Sequence, residues 1–172
     1  VGDIRQQGED YAYEFLQAMG SAKVKAPIVL ELFAPAGREF FRKVNKAIPN
    51  YNIQWSPDSS DEEVRRIFGK GYSNRDVENT IQGALDNACK RFDLFFMIGL
   101  PRQTYSSVMK DAAYLRALLD EFSVQKKLFP FISPLAPFLD PGSRVFENPD
   151  KYGYRFFYRG LEEHRQALKS PK

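Results

Sequence analysis

Along this chain the spacing of apolar positions switches repeatedly between a helical period and short unbroken runs. In GEDYAYEFLQAMG (8–20), Tyr11, Phe15 and Ala18 or Met19 recur at helical intervals, acids occupy the first turn and Gly20 closes the pattern. PIVLELF (27–33) is a short apolar run behind a proline and predicts a buried strand. REFFRKVNKAI (38–48) returns to the helical period through Phe40, Phe41, Val44 and Ile48, and YNIQW (51–55) alternates as a strand does. SSDEEVRRIFGKG (59–71) predicts a helix begun by acids and closed by glycine. SNRDVENTIQGALDNACKR (73–91) is the clearest helix, with Ser73 and Asp76 as its cap and Val77, Ile81, Ala84, Leu85 and Ala88 as its inner stripe. FDLFFMIG (92–99) is nearly continuous in apolar residues, the mark of a strand buried on both faces. Thr104 or Ser106 can cap YSSVMKDAAYLRALLDEF (105–122). KLFPFISPLAPFL (127–139) begins as a strand and breaks up over Pro130, Pro134 and Pro137. The tail predicts one short helix, and VGDIR at the start reads as the tail of a strand.

Strand and helix thus alternate with short connections, which predicts an α/β fold with a parallel sheet and right-handed crossovers. Ligands in such folds sit at the carboxyl ends of the strands. Those ends are Gly2–Asp3, Glu31–Pro35, Ser56–Ser60, Gly99–Thr104 and Ser133–Gly142. No repeat, low-complexity run or linker divides the 172 residues, so a single domain is expected.

Composition narrows the function classes. Apolar residues make up 43% and charged residues 27%, ordinary values for a globular protein. A net charge of +3 without a Lys/Arg stripe gives no footprint for nucleic acid. No run approaches the roughly 20 apolar residues of a membrane span, and VGDIRQQGED lacks the features of a signal peptide, so a cytoplasmic setting is expected. With one cysteine, Cys89, and one histidine, His164, neither an internal disulfide nor a multi-thiolate metal site can be built from this chain. Cys89 reads as inert packing at the end of a helix, and His164 as a solvated residue of a charged terminal helix.

Candidate chemistry gathers at the strand ends. In GLPRQT (99–104), Gly99 lets backbone approach a planar ligand, Pro101 fixes the turn, and Gln103 and Thr104 remain as polar contacts or helix caps. SPDSSDEE (56–63) crowds serines and acids before a helix, where acids also favour the helix dipole. Ser56 and Asp58 precede that helix and could bind sugar hydroxyls. Lys70, in GKG, could pair with a carboxylate or cap the dipole, and Asp3 could accept from an ammonium group. Glu31, inside VLELF, is expected near the barrel axis, where a carboxylate must be paired or hydrogen-bonded.

Together, FDLFFMIGLPRQT, IQWSPDSSDEEVRRIFGKGYSN and FISPLAPFLDPGS resemble the later part of a radical S-adenosylmethionine enzyme core. The nearest resemblance is to such proteins with an N-terminal cobalamin-binding domain. In related enzymes a strand ending GLP or GFP lines the adenine pocket; the resemblance gives that place to Ile98, Gly99, Leu100, Pro101 and Gln103, with Arg102 where glycine is common. It implies ribose or methionine contacts for Asp58 and the methionine carboxylate for Lys70, where the Arg of many relatives would be bidentate. GDIR resembles the glycine-and-acid motif on the second barrel strand, which implies that Asp3 binds the methionine amino group.

The fold so implied is a partial TIM-type (β/α) barrel of the (β/α)6 kind, with residues 140–172 as a C-terminal extension. The CxxxCxxC loop that anchors a [4Fe–4S] cluster in this family is absent and belongs after a first strand that the chain also lacks. The resemblance therefore implies the back portion of a longer iron–sulfur oxidoreductase, inactive in isolation. S-adenosylmethionine is its expected cofactor, the cluster is ligated from outside this chain, cobalamin is a further possible cofactor, and the substrate is an unidentified small molecule. Two rivals stand beside this reading. One is an α/β-barrel enzyme acting on a phosphorylated small molecule through a helix N-terminus such as Thr104–Ser107. The other is a non-catalytic interaction module that uses the Phe/Pro-rich stretch 129–138 and self-associates through an open sheet edge or apolar face.

Overall fold

The computed structural model describes residues 2–134 and 142–169. The chain divides into two compact units, Val1–Leu135 and Ala136–Lys172.

The first unit holds one sheet of four parallel strands, β1 (Ile28–Leu32), β2 (Tyr51–Asp58), β3 (Arg91–Ile98) and β4 (Leu128–Pro134), in that spatial order. Between them run α1 (Glu9–Ser21), ahead of β1, then α2 (Arg38–Ala47), α3 (Glu62–Ile67), α4 (Asn74–Asp86) and α5 (Tyr105–Glu121). Caps fix two of these starts as their residue types dictate. Ser73 and Asp76 form a reciprocal capping box on α4, and Thr104 and Ser107 form one on α5.

Alternation sorts the side chains onto two unlike faces. Leu30, Leu32, Tyr51, Ile53, Trp55, Phe92, Leu94 and Phe96 are buried against Leu16 of α1, Phe41 and Val44 of α2, Ile81 and Ala84 of α4, and Leu115 and Leu118 of α5. On the other face Val29, Phe33, Phe129 and Phe131 are exposed, while Asn52, Gln54, Ser56, Phe95 and Met97 are half-buried. Parallel sheets are ordinarily covered on both faces. A four-stranded parallel sheet with helices on one face and mixed polar and aromatic groups on the other is an unclosed barrel segment, and this face is its inner wall.

Three expectations are corrected. Ile4 and Arg5 of GDIR open a 3-10 helix over Ile4–Gln7 rather than extend a strand: Asp3 caps it, its carboxylate accepting from the Arg5 backbone N–H. The helix predicted over 73–91 ends at Asp86, since Ala88 takes a left-handed φ of +64°, which removes Ala88 from the inner stripe and puts Cys89 in the turn before β3. Strand β3 is fully buried on one face only, with Phe95 and Met97 half-exposed on the inner wall. β2 also runs longer than its alternation predicts, through a register shift between Trp55 and Asp58.

In the second unit, α6 (Arg144–Glu147), capped by Ser143, leads into a 3-10 helix at Pro149–Tyr152, and α7 (Leu161–Lys169) is the terminal helix expected of the tail. Residues 135–141, which carry the end of the predicted 127–139 strand, most of the Ser133–Gly142 strand end and part of the 129–138 stretch, lie outside the described residues.

Candidate functional site

The carboxyl ends of β2 and β3 are neighbours on one edge of the sheet, with Asp58 paired to Phe96. Ser56, Asp58 and Lys70 come together there. Lys70, which follows α3, donates to the Ser56 carbonyl and places Nζ 2.7 Å from Asp58 Oδ2. Asp58 is 1% exposed and holds a φ of +72°, unusual for any residue but glycine. Its oxygens accept no well-formed hydrogen bond beyond that ion contact. Burial pushes its carboxyl above the usual range, and the cations Lys70 and Arg65 only partly offset this. Nearby, the rings of Trp55 and Tyr72 lie 5.4 Å apart, and burial pushes the Tyr72 hydroxyl above its usual range.

The loop after β3 is closed by Gln103. Its Oε1 accepts from Gly99 N at 2.8 Å and Leu100 N at 3.2 Å, and its Nε2 donates to the Met97 carbonyl at 2.9 Å. Gly99 has φ +99° and Arg102 +59°, so a glycine at 99 is required by backbone and Arg102 accepts strain. Leu100 and Pro101 turn inward and are buried, whereas Ile98, at the end of β3 on the strand face that carries Phe92, Leu94 and Phe96, stays 41% exposed.

Asp3 sits at the tip of β1. Its Oδ2 accepts from Phe33 N at 2.9 Å, and Arg5 grips both of its oxygens while donating to the carbonyls of Ala34 and Pro35. Burial alone would raise its carboxyl, but the hydrogen bonds from Arg5 and Phe33 hold it below the usual range. The acid is thus already well supplied with donors. Glu31 does lie on the inner wall, in register with Gln54 and, through it, Asp93. It is exposed there, so water satisfies its carboxylate, and the pairing expected of a buried acid is not needed.

Three residues of this site carry no signal in the motifs. Arg65, wholly buried, donates to the carbonyls of Ser59 and Tyr72 and to Asn74 Oδ1. Asn74 Nδ2 reaches the Ser60 carbonyl at 2.9 Å. Asp111 accepts from Ser59, Ser60 and Gln103. The signal available was position: Asp111 shares the buried stripe of α5 with Ser107, Leu115 and Leu118, where an acid needs partners.

No family's sequence profile matches the chain, and no curated protein matches it. Among solved structures it is similar to the radical S-adenosylmethionine methyltransferase TsrM of Kitasatospora setae with cobalamin and a [4Fe–4S] cluster bound, at a TM-score of 0.56 and 15% identity over 84% of this chain and 27% of that one. A second TsrM structure, with tryptophan substrate and the analogue aza-SAM bound, gives 0.53 and 14% over 76% and 25%. The arrangement of its parallel strands and helices is similar to the TIM-type fold of those structures. It spans about a quarter of the length of these neighbours.

In TIM-type (β/α) folds ligands bind at the carboxyl ends of the strands, the tips described above. Cys89 is not among them: it is buried in the turn before β3 and burial pushes its thiol up to about 11. His164 is on α7, its ring 5.8 Å from that of Tyr158. Among the described residues no group of three metal-ligating side chains converges, and no helix is long and apolar enough to cross a membrane. A cleft between α1 and α2, lined by Tyr13, Leu16, Lys43 and Lys46, contains none of the strand-tip residues.

Proposed function

We propose that the tips of β2 and β3 bind S-adenosylmethionine, and that the protein is an enzyme of the radical S-adenosylmethionine type acting on a small molecule. The observation that carries this is the meeting, at the carboxyl ends of two adjacent parallel strands, of the Asp58–Lys70 pair and the loop that turns at Gly99 after the exposed Ile98. Ser56, half-buried on the inner wall, suits the ribose hydroxyls, and the buried Asp58 holds Lys70 beside it. Lys70 suits the methionine carboxylate as a point charge. Because Gln103 already occupies the N–H groups of Gly99 and Leu100, adenine would be held by apolar contact with Ile98 rather than by those N–H groups. Asp3 at the β1 tip could take the methionine amino group only by giving up one of its bonds to Arg5 or Phe33, and Glu31 lies further down the inner wall.

These residues fit the nucleoside and the amino acid end of the cofactor. They do not fit an iron–sulfur cluster, which needs three thiolates where this sequence has one cysteine. What the chain does by itself is bind and orient. Methyl transfer with cobalamin is the activity the neighbours' chemistry favours, and it gives no support to a general oxidoreductase assignment.

Calorimetric titration with S-adenosylmethionine, S-adenosylhomocysteine, adenosine and inorganic phosphate tests the reading. Saturable binding of the first two, and weaker binding of adenosine, is expected. Phosphate binding without nucleoside binding would favour the phosphorylated-substrate rival. The geometry speaks against that outcome, because the Ser107 N–H of the α5 start is already taken by Thr104.

A further inference from the structure

We infer that Asp111 is a positioning residue that locks the β2 and β3 loops into one unit and so sets the shape of the nucleoside hollow; this rests on the S-adenosylmethionine reading above. Asp111 is 1% exposed in the middle of α5, a place where a carboxylate is costly unless its lone pairs are filled. They are filled from two directions. Ser60 donates to Oδ1 through its backbone N at 2.5 Å and its hydroxyl at 2.6 Å, and the Ser59 hydroxyl spans Oδ1 and Oδ2 at 3.0 and 3.1 Å. Gln103 Nε2 reaches Oδ2 at 3.3 Å.

All of these partners are neutral donors from the two strand-tip loops, so the carboxylate is spent on joining them. The Gln103 carboxamide continues the link to the N–H groups of Gly99 and Leu100. A single chain of hydrogen bonds therefore runs from Ser59, next to Asp58, and Ser60 through Asp111 to the glycine of the β3 loop. Moving one loop pulls on the other. Charge-assisted bonds are the stronger class, so the coupling has weight.

The test compares wild type, Asp111→Ala and Asp111→Asn by S-adenosylhomocysteine titration and by hydrogen exchange of the two loops. Asp111→Ala is expected to weaken binding by about tenfold or more, the loss of hydrogen bonds to a charged group, and to speed exchange in both 57–61 and 99–103. Asp111→Asn keeps one acceptor oxygen for Ser60 but turns an amide toward Gln103. It should loosen 99–103 alone, with an intermediate loss of affinity. A merely structural role would instead speed exchange across α5 and the core strands together, and that result overturns the inference. So does a folded Asp111→Ala with unchanged affinity. Should Asp111→Ala fail to fold, the cycle of Asp111→Asn with Gln103→Leu decides: the double variant should bind no worse than Gln103→Leu alone, and additive losses would contradict the coupling. If wild type binds no S-adenosylhomocysteine, the cofactor reading falls and this inference with it. If wild type binds and the Asp111 variants bind equally tightly, only the inference falls.

Discussion

Two aspartates at neighbouring strand tips illustrate how environment divides one residue type into opposite roles. Asp3 has a lowered pKa, so its contribution to stability is present above the ordinary carboxyl value of 3.8 and is lost as pH falls through the depressed folded value. Asp3→Asn should cost about 2 kcal/mol at pH 7, and the gap to wild type should close in strongly acidic solution when both are followed by urea unfolding. Asp58 has a raised pKa, so acidification between its folded value and 3.8 stabilises wild type by relieving a buried charge. Asp58→Asn should abolish that acid-side gain and, because Asn tolerates a left-handed φ and Lys70 can reach water, stay within about 1 kcal/mol of wild type at pH 7. Its loss should appear instead in S-adenosylmethionine affinity; a large loss of stability with binding intact would reverse the roles given to these residues. Cys89 is expected to resist thiol reagents at pH 8 in the folded protein and to react only on unfolding, which a timed labelling assay reads directly.

At the scale of elements, the close approach of α2 and α4 decides the packing over the sheet. A Cβ on Gly83 would stand 3.2 Å from the wholly buried Phe41 ring and 3.4 Å from Arg38. Gly83→Leu should therefore cost about 1–3 kcal/mol in spite of better helix propensity, seen as a lower thermal midpoint; an unchanged midpoint would mean the helices sit further apart. Most elements were legible because their signals are local. Caps, alternating strands and the apolar stripe of α4 each depend on residues within a few positions. What sequence could not show is long-range: that Asp3 would be saturated by Arg5 and the β1 tip, that β2 would bulge and carry Asp58 inward, and that Arg65 and Asp111 would hold loops far from them in the chain. Most of the residues proposed from motifs fall at the carboxyl ends of the strands, with Glu31 inside β1, while the groups that hold those loops lie on helices whose polar interior positions look unremarkable in isolation.

In the first unit as a whole, the governing feature is a parallel sheet whose own helices, among the described residues, pack on one side. Glu31, Gln54, Phe95, Met97 and Phe131 line a wall that in a closed barrel would face a ligand-filled interior. With Phe129, Phe131 and Val29 exposed, the chain is expected to self-associate as its concentration rises, and sedimentation equilibrium should show this. A monomer throughout would mean that this wall is less available than its exposure implies. The central claim is that the β2 and β3 tips make one nucleoside hollow. It is tested most directly by mapping amide chemical shifts during titration with S-adenosylhomocysteine. Shifts should appear together, with one saturation curve, in Ser56–Ser60 and Ile98–Gln103. Shifts confined to one loop, or gathered instead at the α1–α2 cleft, would contradict it.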